Sequence, residues 1–298
     1  MRAFVTGGKG FVGAWLVEHL RASGDEVVAV DRDVDVTDAA AVRRALVGAE
    51  PDAVYHLAAF SHVGRSWDDR TAVVSVNTVG TAAVLDACLR CPTPPRVLVV
   101  SSAEVYGEVP ADRQPIDEDQ PMRPVTPYAA SKAAAEMLAV QAYLGDGLPV
   151  VRVRPFNHIG PGQADSFVVP ALAARIVAAQ RGGKGELTVG NLSARRDLTD
   201  VRDVVRAYRM LMAGGGEPGA VYNVCSGRAA VIEEIAGRLL ALAGASLDLR
   251  PDPDLMRPVD VPVVQGDGTR LAGATGWGPI VGLDATLLDV IEEQRRRA

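Results

Sequence analysis

The feature that most narrows the fold is a run of glycines spaced in threes directly after a short apolar stretch. Thr6-Gly7-Gly8-Lys9-Gly10-Phe11-Val12-Gly13 follows the apolar residues 3–6 and opens a helical pattern at about 11–23. In a strand-turn-helix of this kind the first glycine permits the tight turn. The second lets backbone approach an anion, and the third lets the helix pack closely. The free N–H groups and the positive end of the helix then face a phosphate. Gly7, Gly10, Phe11 and Val12 are therefore expected to hold the pyrophosphate of a dinucleotide.

The rest of the first half fits that start. Apolar, Val-rich runs at 26–31, 53–58, 96–101 and 149–155 read as buried strands, and 3–6 as the first of them. Helix patterns at about 11–23, 38–48, 72–90 and 128–144 lie between them. Alternation of this kind predicts a parallel sheet covered on both faces, wound right-handedly into a Rossmann-like α/β domain over residues 1–155. After Pro155 the pattern loosens, with helices expected at about 166–180, 201–213, 230–245 and 284–297. Residues 156–298 are expected to form a smaller C-terminal α/β substrate-binding lobe, with some elements returning to the first sheet.

Residues 107–127 carry Pro110, Pro115, Pro121, Pro124 and Pro127 and the cluster Asp117-Glu118-Asp119. Regular structure is excluded there. The stretch reads as a solvated loop that delivers the next helix to the sheet's carboxyl edge. A formal net charge of -6 argues against nucleic acid or an anionic membrane as partner. No run is read as approaching the ~20 apolar residues of a membrane span, and the strand beginning at Arg2 leads us to expect no cleavable leader. Cys88, Cys91 and Cys225 read as reduced thiols of a cytoplasmic protein. His19, His56, His62 and His158 show no metal-ligand spacing, and no metal is expected.

Asp31 ends the second strand, 18 residues after Gly13. A carboxylate there can bind ribose hydroxyls and repel a 2′-phosphate, which favours NAD(H) over NADP(H). Arg32 can stack on adenine or attract that phosphate. Asp35, next to Val36, can accept from the adenine amino group, while Thr37 or Asp38 caps the next helix. Tyr128 and Lys132 stand one helical turn apart. An ammonium so placed is expected to lower the phenol's pKa and let it exchange a proton with a substrate oxygen. Ser102 ends the fourth strand at the edge where such sheets bind ligands, and its hydroxyl can hydrogen-bond a reacting carbonyl.

The glycine turn, His56-Leu57-Ala58-Ala59, Asn77, Ser102, Tyr128/Lys132 and Arg154-Pro155-Phe156-Asn157 together resemble the extended short-chain dehydrogenase/reductase family over nearly the whole chain. The resemblance implies that Tyr128 is the proton donor or acceptor and that Lys132 holds the nicotinamide ribose and tunes Tyr128. It also implies that Ser102 polarises the carbonyl, that Asn157 orients substrate, and that Leu57, Ala58 and Ala59 pass the cofactor. His56 reads as structural.

Three later stretches narrow the resemblance: residues 156–163, 189–203 and 221–227. They are similar to enzymes of GDP-mannose-derived sugars, the 4,6-dehydratases and, more closely, the reductases of GDP-4-dehydro-6-deoxy-D-mannose that form GDP-D-rhamnose. This implies a GDP-sugar substrate held by Val189, Asn191, Arg196 and Arg257, the two arginines clamping the diphosphate as guanidinium forks do. Of the adjacent Arg195 and Arg196, at most one is expected to face the site. Glu104 stands at the dehydratases' glutamate position, but those reductases carry glutamate there too. Ser102 in place of threonine, Ala103 in place of an acid and the Asp31-Arg32 strand end favour the reductase. The family further implies a homodimer built on the helices at 72–90 and 128–144.

Overall fold

The computed structural model describes residues 1–183, 185–252, 255 and 261–298. Its first half alternates strand and helix: β1 (Arg2–Thr6), α1 (Phe11–Ala22), β2 (Glu26–Val30), α2 (Ala39–Ala49) and β3 (Ala53–His56), then α3 (Arg70–Val74), α4 (Gly80–Leu89), β4 (Arg96–Val100), α5 (Pro127–Asp146) and β5 (Val150–Pro155). The second half adds β6 (Asn157–Ile159), α6 (Val168–Arg181), β7 (Glu186–Val189), β8 (Arg195–Asp200), α7 (Val201–Met210) and β9 (Val221–Val224). It closes with β10 (Ala229–Val231), α8 (Ile232–Ala243), β11 (Asp248–Pro251), β12 (Val263–Val264), α9 (Thr269–Thr275) and α10 (Leu283–Arg297).

Strands apolar on both faces need cover on both, and the central sheet has it. Its order is β2-β1-β3-β4-β5-β9 and every pairing is parallel. This is the doubly wound α/β architecture expected of the sequence. On one face Leu16, Val17 and Leu20 of α1 pack with Val204, Val205 and Tyr208 of α7. On the other, Val42 and Leu46 of α2 pack with Val84, Leu85 and Cys88 of α4 and Ala139 and Ala142 of α5. The strand order reverses between β1 and β3, and at such a switch point the carboxyl edge opens into a crevice. A third apolar cluster joins α6, α8 and α10, with Ile176, Leu239 and Ile291 fully buried.

The long helix at 70–89 departs from the expected pattern in two ways. A π turn at Ser75–Val79 interrupts it, and it contains an 18-residue window of mean hydropathy 1.6, long and apolar enough by composition to span a membrane. The expectation that no stretch approaches that length is corrected here. The apolar character has a cause inside the fold: half the window is buried, Val73, Val84 and Cys88 among its core residues. Residues 107–127 also differ from a purely solvated loop. Ile116 and Glu118 are buried, Ile116 N donates to Gln265 O at 2.8 Å, and Asn223 N donates to Glu118 Oε1 at 2.7 Å.

Candidate active site

A cleft of about 1000 Å³ runs along the carboxyl edge of the central sheet, the upper end of the range for small-molecule sites. Its first wall is the glycine turn. Gly7 has φ +69°, and a Cβ there would approach Ala58 N to 2.9 Å; a Cβ on Gly13 would fall on Gly7 O. Both positions therefore require glycine, which brings α1 against the ends of β1 and β3. No side chain caps α1, and Gly10, Phe11 and Val12 line the cleft at its N-terminus. Its leading N–H groups are thus available to an anion.

Asp31, Arg32, Asp35 and Val36 line the far end. Lys9 N and Arg32 N donate to the Asp31 carboxylate at 2.9 and 3.0 Å, tying the strand end to the glycine turn. The Asp35 carboxylate accepts from Thr37 N and Oγ1, each at 2.8 Å, and Asp38 caps α2.

Leu57, Ala58 and Ala59 form the floor, and a buried chain of hydrogen bonds holds them. Leu57 N and Ala58 N donate to Thr6 Oγ1 at 3.2 and 3.1 Å. Thr81 Oγ1 donates to Asn77 O at 2.6 Å, so it accepts from His56 Nε2–H at 3.0 Å, leaving Nδ1 to accept from Thr6 Oγ1 at 2.8 Å. Burial pushes the His56 pKa down to about 3, consistent with a neutral structural imidazole. Asn77, within the π turn, accepts from Phe60 N at 2.7 Å and donates to Ser131 Oγ at 2.9 Å.

The chemistry converges where β4 ends and α5 begins. Thr126 caps α5 by accepting from Ala129 N at 3.1 Å, and Pro127 starts the helix. Tyr128 and Lys132 are buried on one face of it. Ser102, Glu104, Tyr128 and Lys132 line the same part of the cleft. Lys132 Nζ donates to Val100 O at 2.7 Å, and Glu104 N donates to Ser102 Oγ at 3.2 Å. Burial raises the Tyr128 phenol to about 12; the nearby Ser102 hydroxyl pulls it back, and the Glu104 charge pushes it further up. Burial lowers the Lys132 ammonium to about 8. From sequence the lysine neighbour is expected to lower the phenol; the shift is instead upward, with desolvation as its largest cause.

Beyond Tyr128 the wall consists of Pro155, Phe156, Asn157 and His158. Arg196 lines both this cleft and an adjoining recess of about 220 Å³, as do Asn157 and Phe167; Asn191 lines the recess alone. Arg195 is exposed and lines neither, so of the adjacent pair Arg196 faces the site. Val189 does not reach either wall. It is fully buried in the α6–α8–α10 cluster, because β7 alternates and turns that side chain into the core. Arg257 lies outside the described residues. Ser61, Val63, Trp67, Thr126, Gln163 and Phe167 also line the cleft and were not singled out from sequence. The Thr-Pro pair ahead of α5 is a usable signal for Thr126; Phe167, whose ring lies 5.8 Å from that of His62, has no local signal. Among the described residues no group of three or more potential metal ligands occurs.

Residues 3–225 match the NAD dependent epimerase/dehydratase family. GDP-6-deoxy-D-mannose reductase of Pseudomonas aeruginosa is 37% identical over 299 residues, covering 99% of this chain and 98% of that protein. The structure of RMD from Pseudomonas aeruginosa complexed with NADPH superimposes with a TM-score of 0.93 at 36% identity, covering 100% of this chain and 99% of that one. UDP-glucose 4-epimerase of Thermus thermophilus, in complex with NAD, gives a TM-score of 0.89 at 30% identity with both chains fully covered. The chain thus belongs to the NAD dependent epimerase/dehydratase family, the extended short-chain dehydrogenases/reductases.

Proposed function

We propose that this enzyme reduces the 4-keto group of a nucleotide-linked 4-keto-6-deoxy sugar, GDP-4-dehydro-6-deoxy-D-mannose, to GDP-D-rhamnose. The observation that carries this reading is that Ser102, Tyr128 and Lys132 line one cleft together with a glycine turn that leaves no room for a Cβ at Gly7 and Gly13.

The cleft fits a nicotinamide dinucleotide on its own geometry. Gly7 and Gly13 leave no room for a Cβ. The uncapped α1 N-terminus suits the pyrophosphate, and the Asp31 carboxylate suits ribose hydroxyls. A bound reduced nicotinamide supplies hydride. Ser102 and Tyr128 hydrogen-bond the oxygen as negative charge develops on it, and Tyr128 supplies the proton. Lys132, buried beside it, stabilises the phenolate left behind. Asp31 favours NADH; Arg32 next to it gives a 2′-phosphate a counter-charge, so NADPH is used with lower efficiency. Asn157, Asn191 and Arg196 line the route into the smaller recess and suit the diphosphate and base of the substrate.

The test is incubation with GDP-4-dehydro-6-deoxy-D-mannose and NADH or NADPH, followed at the reduced cofactor's absorbance band. Stoichiometric oxidation supports the reading. Glu104 beside Ser102 also suits a dehydratase, whose signature would be conversion of GDP-mannose with no added NAD(P)H. Exposed Val74, Val79, Met137 and Leu144 on the α3–α4 and α5 helices support a homodimer, which light scattering tests.

A further inference from the structure

The segment between β6 and α6, residues 160–167, carries no helix or strand, so its backbone groups have to find partners elsewhere. Two helices supply them. Trp15 Nε1 of α1 donates to Pro161 O at 2.8 Å. One residue on, Gly162 N donates to both carboxylate oxygens of Glu293 on α10, at 2.8 and 3.0 Å. Gln294 Nε2, also on α10, donates to Asp165 Oδ1 at 2.7 Å. Arg297 Nη2 donates to Glu293 Oε1 at 2.7 Å and holds the carboxylate in place. The helix is itself anchored, with Leu287, Val290 and Ile291 fully buried in the cluster it shares with α6 and α8.

The strapped segment ends at the ligand site. Gln163 lines the cleft, Ser166 the adjoining recess, and Phe167 both. Phe167 N closes a turn on Ala164 O at 3.1 Å, so its position follows from that of the residues before it. We propose that Glu293, on the C-terminal helix and outside both cavities, is a positioning residue: by holding Gly162 it sets Ser166 and Phe167 against the nucleotide part of the sugar-nucleotide substrate. The inference rests on the assignment of the recess, above, to diphosphate and base. A carboxylate that takes a backbone N–H acts through its acceptor oxygens, which a glutamine side chain also offers and an alanine side chain lacks.

Binding of GDP and of NADH, each measured alone by isothermal titration calorimetry, separates positioning from general weakening. Glu293→Ala is expected to bind GDP about tenfold more weakly, the worth of one hydrogen bond to a charged group, and NADH within about twofold of native. Glu293→Gln keeps an acceptor for Gly162 N–H and is expected to bind GDP as the native chain does. Glu293→Asp keeps the charge but draws the acceptor back by one carbon; it is expected to weaken GDP in the same direction, so the test stands where the alanine variant does not fold. Native GDP affinity in the shortened variants, GDP and NADH weakened equally, or a glutamine variant as weak as the alanine one overturns the inference alone. Native chain that binds NADH but not GDP overturns it together with the nucleotide reading.

Discussion

Removing the carboxylate of Glu136 breaks a buried ion-pair network. Glu136 is fully buried on α5, one turn beyond Lys132. Its oxygens accept from Arg154 Nε at 3.0 and 3.1 Å and Nη2 at 2.7 Å, and from Arg152 Nη1 at 3.2 Å. Arg154 in turn donates to Tyr106 OH at 3.0 Å, and Tyr106 OH donates to Asn223 Oδ1 at 2.7 Å. Tyr106 ends the turn that begins at Ser102. The pair thus ties the helix of Tyr128 and Lys132 to the turn of Ser102 and Glu104. Glu136→Ala leaves Arg154, whose side chain is 4% exposed, without a counter-charge. Breaking a buried pair on one side costs about 3–5 kcal/mol, which in a chain of this size lowers the thermal midpoint by roughly 10 °C. Replacing Glu136, Arg152 and Arg154 together with methionine removes every charge of the network and is expected to cost less than the single change. Differential scanning fluorimetry reads both. A midpoint for Glu136→Ala within about 2 °C of native, well short of the shift expected from a broken buried pair, or a triple variant less stable than the single one, would refute the reasoning.

Further outcomes follow from the same geometry. The folded pKa of His56 is about 3 against 6.5 for the free group, so the unfolded chain binds the proton first and stability falls as pH drops through that window; His56→Gln flattens acid unfolding there by up to about 5 kcal/mol. Lys132 falls to about 8 from 10.5, so stability rises with pH across that interval, and Lys132→Met removes about 3 kcal/mol of that dependence, read by urea unfolding at either end of it. Asp31→Ser removes the carboxylate facing a 2′-phosphate and is expected to shift the ratio of kcat/KM for NADH over NADPH toward NADPH by about tenfold or more.

The sequence made the sheet and most helices legible because Val-rich runs and 3.6-residue patterns report burial directly. What escaped it depends on partners far along the chain. The π turn at Ser75–Val79 holds Asn77, which bonds Phe60 and Ser131 across the fold. Residues 107–127 look solvated by composition, yet Asn223, more than a hundred positions away, draws Glu118 inward. The short α9 carries too few residues to show a period, and Leu271 in it is nevertheless fully buried. Val189 sits in a motif that resembles a substrate-binding stretch, but strand alternation turns it into the core. Tyr128 and Lys132 were legible as a pair. Their protonation was not, because desolvation by surrounding tertiary structure sets it.

The central claim is that Tyr128 gives its proton to a ketone oxygen shared with Ser102. Single-turnover oxidation of NADH by GDP-4-dehydro-6-deoxy-D-mannose, measured for the native chain and Tyr128→Phe with cofactor binding checked in parallel, tests it most directly. The account predicts unchanged NADH affinity and a rate lower by about 10³-fold or more. A Phe variant that binds NADH and turns over within tenfold of native would contradict it.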